Sequence, residues 1–155
     1  MLKRKSVAVV MLIVSLILLL SACTSDKTAK TADEFTTLME GKGFTVLDVT
    51  EDTETNGLAN AVLIAMNDNY QIEFYDLIDN ESGEGVFYNN QDIFDSANSV
   101  KTMSTEVSTS NYNYYSFTGG DEFYLIARID NTMLYCVAAK DYKTEIKDIV
   151  KELGY

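Results

Sequence analysis

Histidine is absent from this 155-residue chain, which removes the usual general base and the usual zinc ligand. The Gly-x-Ser-x-Gly elbow, the Walker loop and the dinucleotide-binding fingerprint are absent as well. We therefore expect no catalytic residue of the Ser/His or Cys/His kind, no metal site and no cofactor. An enzyme that uses two carboxylates remains an alternative. Because 24 acidic residues make accidental pairs unavoidable, the presence of such pairs is no evidence for it.

Basic residues are also scarce: 12 lysines and arginines face 24 acids, a net charge of −12. Nucleic acid and anionic lipid head groups would be repelled by such a chain, which has no basic stripe for either. We therefore exclude nucleic acid as a partner. The amount of chain and its hydrophobic content suit one domain with one core.

The N-terminus has the pattern of an export signal. Lys3, Arg4 and Lys5 precede an apolar run over residues 7–20 that only Ser15 interrupts. Such a run has signal-peptide length and is short for a membrane span, which needs about 20 apolar residues. It ends in Leu20-Ser21-Ala22-Cys23, which resembles the lipobox of bacterial lipoproteins.

The resemblance implies that the Cys23 thiol takes a diacylglyceryl group and that a signal peptidase cuts just before it. Residues 1–22 would then be a signal peptide, 23–30 a lipidated tether and 31–155 a single domain on the outer face of the bacterial cytoplasmic membrane. Two alternatives are an uncleaved anchor and an ordinary secretory signal that leaves Cys23 a free thiol. Cleavage would remove three basic residues and no acid, and would leave a net charge of −15.

The second cysteine, Cys136, lies in the apolar run Met133-Leu134-Tyr135-Cys136-Val137-Ala138. This run predicts a buried strand, in which a cysteine acts as a small hydrophobic residue. With Cys23 lipidated, Cys136 has no partner, so we expect no disulfide.

Several local patterns mark the ends of elements. Thr31 and Glu34 form a capping box that predicts a helix start, and Gly41 and Gly43 predict its end. The acidic loop from Glu51 to Gly57 matches the first half of a calcium loop, but Leu63 stands where the pattern requires a glutamate. We therefore do not expect calcium there.

Two segments resemble each other: residues 63–69 and 125–131 share Leu, Ile, Ala, Asp and Asn at equivalent places. Asp-Asn after a strand favours a tight hairpin, so each copy reads as strand, turn, strand, helix. A duplicated unit and a chance similarity of two hairpins are both open. Together these patterns predict an α+β domain, in which an antiparallel sheet of about five to seven strands carries helices on one face.

A two-residue turn at Asp130-Asn131 would place aromatic residues and one cation on one sheet face. The predicted binding residues are Tyr124, Arg128, Tyr135, Glu73 and Tyr75. Tyrosine and arginine are typical of interface cores. The alternative is structural: Arg128 pairs with Glu73, and the tyrosines are half-buried sheet residues.

The mature part also resembles small acidic lipoproteins of Gram-positive bacteria, from which no functional residue can be carried over. We expect a membrane-anchored, non-enzymatic module that binds an envelope protein or a cell-wall component. The alternatives are a small-ligand-binding domain and a carboxylate-dependent envelope hydrolase.

Overall fold

The computed structural model describes residues 26–52, 57–97 and 100–155. Within these ranges the chain forms seven β-strands and three α-helices, with a short 3-10 turn at Lys140–Tyr142. The strands are β1 Thr45–Asp48, β2 Ala59–Met66, β3 Gln71–Leu77, β4 Thr102–Ser108, β5 Tyr112–Gly119, β6 Glu122–Ile129 and β7 Thr132–Ala139, and the helices are α1 Ala32–Gly41, α2 Asn80–Ala97 and α3 Lys143–Glu152.

Three sequence predictions fall on residues outside these ranges: the signal peptide, the lipidation of Cys23 and most of the acidic loop. No helix among the described residues is both long enough and apolar enough to cross a membrane.

All seven strands form one antiparallel sheet in the order β1-β2-β3-β7-β6-β5-β4. The predicted α+β class and the antiparallel sheet are confirmed. The central pair is β3 and β7, the second strands of the two similar segments. Each segment continues into a helix, α2 or α3, so both have the predicted order of elements.

Asp-Asn turns set the register of both hairpins. Asp130 has a φ of 50°, which aspartate tolerates better than most residues. In the first hairpin the Asn67 side-chain oxygen accepts hydrogen bonds from the backbone of Asn69 at 2.8 Å and of Tyr70 at 3.0 Å. The predicted pairs Arg128 with Met133, Ile126 with Tyr135 and Tyr124 with Val137 are confirmed.

Helices α1 and α3 cover one side of the sheet, which we call the first face. Its core is aliphatic and aromatic: Phe35 of α1 stacks on Phe74 of β3 with ring centroids 5.0 Å apart, and Ile146 of α3 is fully buried. The Thr31–Glu34 capping box starts α1 as predicted. This face therefore contains the main hydrophobic core.

Helix α2 covers the opposite side, the second face, and this corrects the prediction that all helices lie on one face. Phe87 and Phe94 of α2 pack on Phe117, Ile126 and Met133, which are at most 2 % exposed. The sheet is thus apolar on both sides, and leaving the second face open would expose this cluster to water. A helical stripe in the sequence shows that a helix packs, but it does not show on which face.

Gly83 lets α2 approach the turn between β6 and β7. A Cβ atom at this position would lie 2.7 Å from the Asp130 carbonyl oxygen, closer than real contacts allow. The glycine that weakens the helix pattern in the sequence is therefore a requirement of packing.

The described part of the predicted tether, residues 26–30, packs against the domain. The Lys27 ammonium donates to the Gly154 carbonyl at 2.9 Å and lies 4.0 Å from the centroid of the Tyr112 ring. The Asn111 side chain donates to the Lys27 carbonyl at 2.8 Å. Contact with the domain thus begins several residues before α1.

Candidate functional site

The five predicted binding residues all belong to the second face, on strands β3, β6 and β7. Glu73, Tyr75, Tyr124 and Tyr135 are half-buried, while Arg128 is only 3 % exposed. We call the four half-buried residues the tyrosine patch. The structure separates Arg128 from this patch.

Glu73 occupies a central position in the patch, on β3 directly opposite Tyr135 of β7. Its carboxylate accepts hydrogen bonds from the Gln71 amide at 2.8 Å and from the Tyr75 hydroxyl. Burial, followed by the hydrogen bond to Glu73, raises the pKa of Tyr75. Tyr75 is therefore a neutral donor that holds the carboxylate in place.

Phe94 of α2 forms the wall of the patch. Its ring centroid lies 5.1 Å from that of Tyr124 and 5.3 Å from that of Tyr135, and Tyr124 stacks on Phe117 at 4.7 Å. These spacings are those of favourable aromatic pairs. The rings are therefore fixed in orientation before any ligand arrives.

The hydroxyls of the patch have different surroundings. Tyr124 donates to the Glu122 carboxylate at 2.5 Å. Burial is the main cause that raises the pKa of Tyr135, and the negative charge of Glu73 adds to it. The Tyr135 phenol is therefore neutral at physiological pH.

Arg128 lies under the first half of α2 and cannot contact a partner directly. Its Nε donates to the Asn113 side-chain oxygen at 2.8 Å, and its Nη1 donates to the Asp130 carbonyl at 2.8 Å. No carboxylate of the described residues lies within ion-pair distance of it. Arg128 therefore binds neutral groups, and the expected pair with Glu73 does not form.

Cys136 is buried on the first face, as expected for a small core residue. Burial, followed by the charge of Glu73, raises the pKa of its thiol to about 12. A thiol with such a pKa is protonated at physiological pH and is a poor nucleophile.

A groove of about 580 Å³ lies elsewhere, between α3 and the chain that follows α1. Asp141, Glu145 and Asp148 line it together with Lys42, whose ammonium pairs with Glu152 at 2.6 Å. Glu145 and Asp148 lie on the solvent side of α3, and Asp141 is exposed in the 3-10 turn before it. In the described residues no group of three acidic or cysteine side chains is placed to hold a metal ion.

Phe94 is a residue of the site that the sequence did not predict, although it lies on an apolar stripe of α2. That stripe was the only available signal, and it could not show that α2 crosses the tyrosine-rich face. Helix α2 divides this face into a closed part around Arg128 and an accessible part around Glu73.

Comparisons of the chain with protein-family models, with curated proteins and with solved structures returned no match.

Proposed function

We propose that this protein is a membrane-anchored, extracytoplasmic binding module without catalytic activity, and that the tyrosine patch is its contact surface. The observation that supports the site is the group of three half-buried tyrosines on central strands, of which Tyr124 and Tyr135 have their rings packed against Phe94. Rigid tyrosines contribute large contact areas at low entropic cost, and they are enriched in interfaces. The partner is an envelope protein.

The anchoring part of the proposal rests on the lipobox resemblance at Cys23. Two acyl chains give stable attachment, because each buried methylene contributes about 0.8 kcal/mol. The Cys23→Ala variant is expected to incorporate no labelled fatty acid and to keep its signal peptide. Normal lipid labelling and normal cleavage of this variant would refute the anchor.

The contact surface can be tested in intact cells with a photoreactive amino acid at Tyr135. Tyr88, on α2 and 43 % exposed, is the matched control position, and its hydroxyl accepts from the Asn113 side chain at 3.5 Å, outside the tyrosine patch. We expect one reproducible adduct from position 135 and none from position 88. Equal adducts from both positions, or none from position 135, would refute the patch as the contact surface.

The substitution Tyr135→Ala is the complementary test, with Tyr88→Ala as its control. Arg128 is unsuitable for this purpose because its replacement would disrupt the buried contacts with Asn113 and Asp130. Before adducts are compared, thermal unfolding should show that both tyrosine variants are folded. Loss of the adduct in the Tyr135 variant alone is the expected result.

A further inference from the structure

We infer that the tyrosine patch recognises a cationic side chain, the ammonium of a lysine or the guanidinium of an arginine, on a basic segment of the partner protein. The inference rests on the proposed function and adds the chemical class of the ligand. It is carried by the juxtaposition of the Glu73 carboxylate with the rings of Tyr75 and Tyr135.

The first observation is that Glu73 has no cationic partner in the part of the chain that the structure describes. Both of its hydrogen-bond donors, Gln71 and Tyr75, are neutral. Among the described residues no lysine or arginine nitrogen lies within ion-pair distance of it, and the nearby Arg128 binds Asn113 and Asp130 instead. A half-buried carboxylate with neutral neighbours gains most from a cation that arrives from outside.

The second observation is the ring environment of this carboxylate. Tyr135 lies directly opposite Glu73 on the neighbouring strand, and the Tyr75 hydroxyl holds the carboxylate itself. The face of an aromatic ring attracts a cation with about 0.5–1 kcal/mol at exposed sites and about 2 kcal/mol when the pair is desolvated. The rings and the carboxylate therefore both favour a positively charged ligand.

The third observation is the charge of the surroundings. Glu122 binds the Tyr124 hydroxyl and brings a second carboxylate to the edge of the patch. The chain as a whole carries a net charge of −12. Phosphates and acidic polymers are repelled by this field, whereas a basic segment is drawn in and its association is accelerated.

Glu73 differs from the acids that form ion pairs on the surface of the domain. Among the described residues, four lysines pair with acids, for example Lys140 with Asp121 at 2.6 Å and Lys30 with Glu34 at 3.1 Å. Those carboxylates are neutralised within the chain. Glu73 is not, although it lies on a central strand.

The test uses the full chain in non-ionic detergent and three short capped peptides that alternate serine with lysine, glutamate or norleucine. Binding is followed by calorimetry at low and at high salt. We expect the lysine peptide to bind, with an affinity that falls as salt rises, and the glutamate and norleucine peptides not to bind. Equal binding of the three peptides, or no binding of the lysine peptide at millimolar concentration, would overturn the inference.

The variant Glu73→Gln keeps the shape and removes the charge, and Glu40→Gln, at an exposed position on α1, removes the same charge elsewhere. We expect Glu73→Gln to weaken binding of the lysine peptide by about tenfold, which corresponds to about 1.4 kcal/mol, and Glu40→Gln to weaken it by less than about twofold. Equal effects would show attraction by net charge alone and would overturn the inference.

The two proposals fail differently. An adduct at position 135 in cells, together with no peptide binding, would leave the contact surface in place and refute its preference for cations. Peptide binding that depends on Glu73 supports the cation preference independently of any cellular partner.

Discussion

The two faces of the sheet are covered in different ways. On the first face α1 and α3 enclose a core in which Phe35, Phe74 and Ile146 are fully buried. On the second face a single helix, α2, buries Phe87 and Phe94 but leaves the tyrosine patch half-exposed. One sheet thus combines a side that two helices close with a side that one helix covers only in part.

The helices on the two faces also differ, in their glycine content and in the exposure of their apolar residues. Helix α2 contains Gly83 and Gly85 and keeps Tyr88 and Ile93 exposed, at 43 % and 53 %. Helix α3 has no glycine and buries Ile146, Ile149 and Val150 in one stripe. Glycine weakens a helix by about 1 kcal/mol relative to alanine. Helix α2 is thus the more weakly held cover.

The largest expected difference between the faces comes from removing one phenylalanine on each. Phe74→Ala should lower the free energy of unfolding by about 3–5 kcal/mol, because the closed core cannot collapse into the cavity. Phe94→Ala should cost about 1.5–3 kcal/mol, the burial term alone, because α2 can settle into the space. Urea unfolding measures the free energy of unfolding of both variants. An equal loss of stability in the two would contradict the difference between the closed first face and the partly covered second face.

A smaller effect is expected from the two glycines of α2. Gly83→Ala should destabilise the domain by about 1–3 kcal/mol, because the new methyl group meets the Asp130 carbonyl at 2.7 Å. Gly85 has nothing within 4 Å of the same position, so Gly85→Ala should stabilise the domain by up to about 1 kcal/mol. Thermal unfolding of the two variants measures these changes. If both substitutions changed the stability in the same direction, the close approach of α2 to the turn would be contradicted.

The cap of α1 provides a smaller change on the first face. The Thr31 hydroxyl accepts from the Glu34 amide at 3.2 Å, so Thr31→Ala should cost about 1 kcal/mol. Thr37→Ala, at an exposed position within the same helix, is the control and should change stability by less than about 0.5 kcal/mol. If chemical unfolding gave equal midpoints for the two variants, the cap would have no role.

The smallest change is expected from mild alkali. Burial raises the pKa of Tyr112 on the first face to about 12, and burial with the Glu73 hydrogen bond raises that of Tyr75 on the second. Because the folded pKa values lie above the unfolded value of 10.0, this contribution to stability is complete below pH 10 and is lost as pH rises through the folded pKa values. Unfolding followed by phenolate absorbance should show stability falling only above about pH 10.

Alternation and turn chemistry were sufficient to predict the register of the β6–β7 hairpin. The Asp130-Asn131 turn and the period of two placed Tyr124, Arg128 and Tyr135 on one face, as the structure has them. The sequence could not predict that α2 packs on that face. Both faces of the sheet are apolar, so the apolar stripe of α2 could pack on either of them. The burial of Arg128 follows from this cover, and so does the separation of Arg128 from the tyrosine patch.

The two similar hairpins also show that the sequence pattern does not determine the face on which the following helix packs. Leu63 and Leu125 share the first face, so the strands of the two segments are equivalent in orientation. Their helices nevertheless pack on opposite faces. The short link through Ile78 and Asp79 leads into α2, whereas a 3-10 turn leads into α3. Connection geometry of this kind depends on tertiary packing and not on local pattern.

The contacts of Lys27 determine how the domain would respond to tension on an N-terminal lipid anchor. Force applied at Cys23 would reach the Lys27 contacts with Gly154 and Tyr112, near the end of α3 and the start of β5, before it reaches α1. The contact with Gly154 connects the segment before α1 to the residues that follow α3. A pull from such an anchor would therefore be shared between α3 and β5.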